Sequence, residues 1–328
     1  MTIRQPIQLG KGWHKVWFYI RSFAVYYLPK SFRRAYGRRV LRSMTDTERQ
    51  ELQRRADYYA KSPRYEHPEA LPVSVASFRY PYRQKRKFGT YVLDLYRSIS
   101  CFPLSYRFAY LMGDVTETFD RPTIVKSRPI ADVTNSVLLK LNSERHFQWV
   151  NDRLSFAEKK DMIVSRNIVH QPHRARLLEM FLDHPMCDFG MVNDNAFPEH
   201  PEWRKPYLTK EQQLQYKFII CIEGNDVATN LKWVMSSHSL AVMPKPKYET
   251  WFMEGTLIPN YHYVEIRPDY SDLIERVQYY IEHPEQAEAI ICHANEYVRQ
   301  FQNRRLEFAT ELMTMQNYFT QTNQYNCK

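Results

Sequence analysis

Phe218 to Ile222 is a run of five apolar residues closed by Glu223-Gly224, and it restricts the fold more than any other stretch. A run that short, rich in isoleucine and bounded by a glycine turn, reads as a strand buried on both faces of a parallel sheet. Asn225-Asp226 supply capping side chains for a helix predicted from Val227 to about Ser237. Ser239 to Met243 reads as a second strand, stopped by Pro244-Lys245-Pro246. The spacing thus predicts a strand–loop–helix–strand unit with its glycine turn at the carboxyl end of the first strand. Ligands of open α/β sheets bind at that end, and a helix N-terminus there suits a phosphate. The same pattern also fits a βαβ crossover that binds nothing.

Further along, Gly255 to Tyr263 (GTLIPNYHY) leads into a short predicted strand, Tyr263 to Ile266. Asp269-Tyr270-Ser271-Asp272-Leu273 then caps another predicted helix. Taken with the Glu223-Gly224 turn and Asn230-Leu231-Lys232, this order and spacing resembles glycosyltransferase family 90. That family includes protein O-glucosyltransferases, fungal capsule xylosyltransferases and bacterial lipopolysaccharide glycosyltransferases. The wording from Glu223 to Gly255 is most similar to the bacterial lipopolysaccharide members. The resemblance is strong from about Val164 to Phe301, weaker from about Tyr110 to Leu139, and absent before that. It implies an α/β chain of GT-B type, with two Rossmann-like domains facing across a cleft. The expected division is 1–150, an acceptor-binding α/β domain, and 151–328, a nucleotide-sugar-binding α/β domain. In two-domain transferases of this kind the last helix often crosses back onto the first domain.

Length and composition agree with two domains. The chain has 328 residues, 44% hydrophobic and 15% aromatic, enough for sizeable cores. Its net charge of +10 attracts nucleic acid, anionic lipid or a phosphorylated substrate without choosing among them. The five cysteines are scattered and form no C-x-x-C, which points away from a disulfide framework or zinc site and toward a reducing compartment. No stretch reaches the roughly 18 consecutive apolar residues that spanning a bilayer needs. The N-terminus shows no signal-peptide pattern. The expected location is the cytoplasm, peripheral on the inner face of the inner membrane.

Near the N-terminus, Trp13, Val16, Trp17, Ile20, Phe23 and Ala24 recur at helical spacing with Lys15 and Arg21 between them. Pro29 is expected to end that helix, and Arg33, Arg34, Arg38, Arg39 and Arg42 follow. The segment reads either as an interfacial anchor, with rings at the headgroups and arginines on anionic lipid, or as an ordinary helix with solvated arginines. Thr45 to Ala60 opens with a capping-box pattern, Thr45-x-x-Glu48.

Transfer from a nucleotide sugar requires a base for the acceptor hydroxyl and positive potential for the departing diphosphate. The chain has no Asp-x-Asp, so no metal is expected; arginine, lysine and free backbone amides can do the same work. By resemblance, the donor loop is Glu223, Gly224, Asn225, Asp226, Thr229, Asn230 and Lys232. Some relatives carry arginine where Asn230 stands, which leaves Asn230 a hydrogen-bonding role. Arg166 and Arg174 are the diphosphate candidates, since a guanidinium fork matches phosphate oxygens. Asn167 stands where the family usually has glycine. His170 and His173 read as loop residues rather than metal ligands. Asp114, after Gly113 at a predicted strand end, lies where relatives carry a catalytic aspartate and is the expected base, with Glu117, Asp120 and Asp132 as competitors.

The resemblance therefore implies an inverting, metal-independent transferase that moves a hexose or pentose from a UDP-sugar to a lipopolysaccharide or lipooligosaccharide core. UDP-sugar, core acceptor and anionic membrane are the expected partners, with no cofactor and no nucleic acid. Alternatives are a transferase acting on capsule or protein, and a non-catalytic basic protein that binds membrane or nucleic acid through its arginines and tyrosines.

Overall fold

The computed structural model describes residues 13–81, 88–194 and 196–325. The basic stretch Arg83 to Lys87 and Cys327 lie outside the described residues. The chain forms two compact units. One takes Met1–Arg128, Asp132–His146 and Arg304–Lys328; the other takes Pro129–Ala131 and Phe147–Asn303.

The first unit begins with three helices, α1 (Trp13–Tyr27), α2 (Lys30–Arg42) and α3 (Asp46–Tyr59). Pro29 ends α1, but the arginines that follow form a second helix, because Pro29 is itself the N-cap of α2 and its carbonyl accepts the Arg33 amide. Arg33 faces neither solvent nor lipid. It is 4% exposed and donates to the carbonyls of Val25, at 2.9 Å, and Arg97. The capping box forms as the sequence predicts: Thr45 Oγ1 accepts the Glu48 amide at 3.2 Å, and the Glu48 carboxylate accepts the Thr45 amide at 3.0 Å.

Strand β1 (Val73–Ser74), helix α4 (Gly89–Ile99) and strands β2 (Arg107–Tyr110), β3 (Thr123–Val125), β4 (Ser127–Pro129) and β5 (Ser136–Leu138) follow, then the single turn α5 (Ser143–His146). The sheet order is β1-β2-β3-β5, with β2, β3 and β5 mutually parallel and β1 antiparallel to β2. The helix Arg304–Gln321 packs on α2, α3 and α4. It brings two carboxylates into the core. Glu307 meets Arg55 Nη2 at 2.7 Å and Lys140 Nζ at 2.6 Å; Glu311 meets the Arg97 guanidinium and, at 2.6 Å, Ser98 Oγ.

Helix α4 carries a third buried carboxyl, Asp94, which accepts the Ser143 amide at 2.7 Å and the Ser143 hydroxyl at 3.0 Å. Burial pushes Asp94 up to about 6, despite Arg97 nearby and the Ser143 amide. The folded state therefore holds this proton more tightly than the unfolded chain. The resulting stability is complete below the unfolded carboxyl range and is lost as pH rises through about 6. An asparagine at this position would keep an acceptor for Ser143 without ionising. Asp94→Asn is expected to raise stability by about 2–3 kcal/mol at pH 7.5 and by almost nothing near pH 4. Urea titrations of both proteins at the two pH values test this; an equal gain at both would rule out ionisation as the cause.

The second unit contains β6 (Lys160–Asn167), α6 (Pro172–Phe181), β7 (Cys187–Met191), the turn α7 (Lys210–Gln213), β8 (Tyr216–Ile220), the turn α8 (Leu231–Val234), β9 (Leu240–Met243), β10 (Tyr248–Thr250), β11 (Val264–Glu265), α9 (Leu273–Glu282) and α10 (Pro284–Arg299). Five strands make one sheet in the order β11-β9-β8-β6-β7, and every pair is parallel. Every residue of β8 is buried, Lys217 included, and its last three residues open the apolar run Phe218 to Ile222. Phe189, Phe218, Val242 and Val264 lie in one core with the inward faces of α6, α9 and α10.

From β6 the chain goes to β7 on one side of the sheet, then returns to β8 on the other side of β6 and continues outward to β9 and β11. The direction of winding thus reverses between β6 and β8. In doubly wound sheets the crevice that binds ligands lies at the carboxyl ends of the strands flanking such a reversal.

Candidate functional site at the sheet edges

Two stretches of the second unit meet at this reversal: the segment after β6, from Ile168 to Arg174, and the segment after β8, from Cys221 to Asn230. Arg174 joins them. Its Nε donates to Glu223 O at 3.1 Å, Nη2 to Ile222 O at 2.9 Å and Nη1 to Ile168 O at 2.8 Å. Carbonyl dipoles thereby fix a full positive charge at the crevice. His173 Nε2 sits 2.8 Å from Glu223 O, and Gln171 Nε2 donates to Asn225 Oδ1 at 2.8 Å. A Cβ on Gly224 would stand 3.2 Å from Arg174 Nη2, so the missing side chain lets the guanidinium and the turn approach each other. The Glu223 carboxylate accepts the amides of Lys247, at 2.9 Å, and Tyr248, at 3.0 Å, tying the β9–β10 connection to the turn. Burial pushes this carboxyl above its usual range, opposed by those two amides.

The rest of the expected donor loop is arranged differently. No helix runs from Val227 to Ser237; residues 224–230 are loop, and α8 is one turn, Leu231–Val234. Asn225-Asp226 therefore cap no helix, and no helix N-terminus stands at Gly224. Side-chain hydrogen bonds to the backbone explain the difference. Asn230 Nδ2 turns back to Ile220 O at 2.9 Å and holds the loop against β8. Ser236 and Ser237 donate to Trp233 O and Val234 O and end the helix after its first turn. Asp272 likewise precedes α9 without capping it, because Oδ1 accepts the Arg267 amide instead. Thr229 is half-buried, and Asp226 is buried.

Lys232 and Arg166 do not reach the crevice as charged arms. Lys232 is fully buried; its Nζ pairs with Glu254 Oε1 at 2.6 Å and lies over the ring of Phe252. Arg166 donates to Asp188 Oδ1 and Asp188 O at 2.7 Å, Ser165 O at 2.9 Å and Pro206 O at 3.1 Å. It braces β6 against β7 and the chain beyond. Both diphosphate candidates stand near the carboxyl end of β6, and Arg174 is the one bound to the turn after β8. Gln171 and His173 join it, although His173 reads in the sequence as a loop residue. The signal is its place immediately before Arg174.

In the first unit, Asp114 follows β2 and Lys126 follows β3, at the carboxyl ends of adjacent parallel strands. Lys126 Nζ donates to Asp114 Oδ1 at 2.6 Å; the lysine is 3% exposed and the aspartate side chain 34%. Gly113 has φ 117°, a conformation that side chains resist, and it turns the chain so that Asp114 faces Lys126. Ser127 Oγ fixes the next residue, accepting the Val115 amide at 3.0 Å and donating to Val115 O at 3.1 Å. The competing carboxylates lack such a frame. Asp120 is exposed and pairs with its neighbour Arg121, Asp132 accepts the Thr134 amide at the surface, and Glu117 is exposed. The sequence singles out Asp114 but not Lys126, whose place directly after a strand could have marked it.

Comparison with known proteins bears on both units. The family model described as Glycosyl transferase family 90 matches residues 144–318. The chain belongs to glycosyltransferase family 90. It is 41% identical over 318 residues to the O-glucosyltransferase LpsA of Dichelobacter nodosus, covering 94% of this chain and 96% of that protein. It is also 25% identical over 180 residues to Protein O-glucosyltransferase 3 of Homo sapiens, covering 49% of this chain and 33% of the human protein. The family match takes in the whole Arg174–Gly224 crevice. Asp114 and Lys126 lie before it, within the span shared with the bacterial relative. As a family 90 member the protein is a glycosyltransferase.

Proposed function

We propose that the protein is an inverting, metal-independent glycosyltransferase of GT-B arrangement, carrying a sugar from a UDP-sugar to a lipopolysaccharide core at the inner face of the membrane. The observation that carries the proposal is the Arg174 guanidinium fixed beside Gly224 at the reversal of a parallel sheet. That is where a doubly wound sheet takes a nucleotide, and a guanidinium suits a diphosphate. Glu223, Gly224 and Asn225 shape the turn over that charge, Asn230 ties the loop back to β8, and Asp226 and Thr229 lie within that loop. Arg166 and Lys232 keep the strands and loops around it in place. Asp114 takes the proton of the acceptor hydroxyl as its oxygen bonds to the anomeric carbon. The bond from that carbon to the diphosphate breaks from the opposite face, and UDP leaves with the electron pair and its charge against Arg174. Both relatives named above are glucosyltransferases, so UDP-glucose is the first donor to test.

Thermal unfolding with UDP and a panel of UDP-sugars tests the proposal. At about 100 times Kd, a ligand of the folded state adds about 2.7 kcal/mol, and the transition is expected to rise by several degrees. Arg174→Ala should lose the shift, and a chelator should leave both shift and turnover unchanged. No shift with any uridine nucleotide, or activity abolished by the chelator, would reject this assignment.

A further inference from the structure

The opening helices carry a surface that the transfer chemistry does not use. Phe23 and Tyr26 fix α1 to its unit: Phe23 lies edge-on to Tyr80 at 5.1 Å, and Tyr26 lies 4.5 Å from Tyr96. Beside these anchors, α1 presents an apolar stripe that is open to solvent. Trp13 is 61% exposed, Trp17 55%, Ile20 56% and Tyr27 70%, and Val16 and Phe32 are open as well. Positions 13, 16, 17, 20 and 27 follow the helical repeat and form one stripe along the helix rather than scattered exposed residues. No aspartate or glutamate occurs before Asp46, whereas Lys15, Arg21, Arg38, Arg39 and Arg42 are all exposed on these two helices.

We propose that the α1–α2 face is a membrane-docking surface for anionic phospholipid, with Trp13, Trp17 and Ile20 inserted at the headgroup boundary. Charge decides the occupant. A second copy of this chain would set cations against cations, whereas an anionic bilayer offers both negative headgroups and an apolar layer beneath them. Tryptophan and tyrosine suit that boundary because each has an apolar ring and a polar atom. Among the described residues no helix is long and apolar enough to cross the bilayer, so the helix lies in the interface. Each cation close to an anionic surface strengthens the attraction. The inference rests on the transferase reading of a membrane-borne acceptor and names the surface and the lipid that hold the chain there.

Flotation of the full chain with vesicles tests it, using phosphatidylcholine alone and phosphatidylcholine with phosphatidylglycerol. The wild type is expected to float with the anionic vesicles, to bind the neutral ones weakly, and to be released by high salt in part. A Trp13→Ser, Trp17→Ser, Ile20→Ser triple variant, which changes only exposed side chains, is expected to bind anionic vesicles at least tenfold more weakly at an unchanged melting temperature. Arg38→Glu with Arg39→Glu should also weaken binding and remove much of its salt dependence. Wild type that stays with the soluble fraction would overturn the proposal and leave an acidic protein as the occupant. A triple variant that binds as tightly as wild type would overturn it too. The UDP-induced thermal shift of the same variants is read separately, so failure of docking and failure of nucleotide binding are distinguishable.

Discussion

Asp114→Asn should lower turnover by roughly 10²- to 10⁴-fold, the range contributed by a positioned general base, while UDP still stabilises the protein. Asparagine matches the aspartate in shape, and its Oδ1 can still accept from Lys126 Nζ, now at 2.6 Å from the carboxylate. Gly113 and Ser127 would hold the loop as before. What disappears is a site for the acceptor's proton. The loss is therefore expected in kcat and kcat/KM together, with little change in donor affinity. Glu117→Gln, on the same loop, serves as the control and should retain most activity. Initial rates with saturating donor and a UDP titration separate the outcomes. Undiminished turnover in Asp114→Asn would remove that residue from the base role, and lost UDP stabilisation would show instead that it supports nucleotide binding.

The sequence reveals strands more faithfully than it reveals what lies between them. Ser239 to Met243 takes in the strand Leu240–Met243, and Phe218 to Ile222 overlaps Tyr216–Ile220, because both are apolar runs with turn residues beyond them. The capping box at Thr45 is equally legible, since its two partners are three residues apart. The loop after β8 is not. Asn225-Asp226 before a mixed stretch reads as a cap, and only the fold shows Asn230 bound to Ile220 O and the serines closing α8 after one turn. The reversal of strand order between β6 and β8, which positions the crevice, is likewise a property of pairing across the chain. Charge is least legible. The sequence reads Lys232 and Arg166 as donor-site cations and Arg33 as a lipid-facing or solvated one, yet each, like Glu307, is held by a partner distant in sequence, up to 252 residues away for Glu307 with Arg55. A charged side chain without its partner in view is ordinarily taken as solvated.

Lys232→Ala is accordingly expected to damage stability, not donor affinity. The ammonium is fully buried and pairs with Glu254, which also accepts the Thr250 amide at 2.6 Å and the Thr250 hydroxyl at 2.9 Å. Alanine would leave the Glu254 carboxylate in the core without its counterion and open a cavity beside Phe252. Removing one member of a buried pair costs about 3–5 kcal/mol, whereas replacing both by groups of similar shape can be nearly neutral. Lys232→Met combined with Glu254→Gln should therefore recover most of the loss, because methionine fills much of the aliphatic space and glutamine keeps an acceptor for Thr250. Urea denaturation of both variants beside the wild type measures the loss and its recovery, and UDP titration of the folded proteins measures the other alternative. A Lys232→Ala protein as stable as wild type but unable to bind UDP would return Lys232 to the diphosphate, where its position in the sequence had placed it.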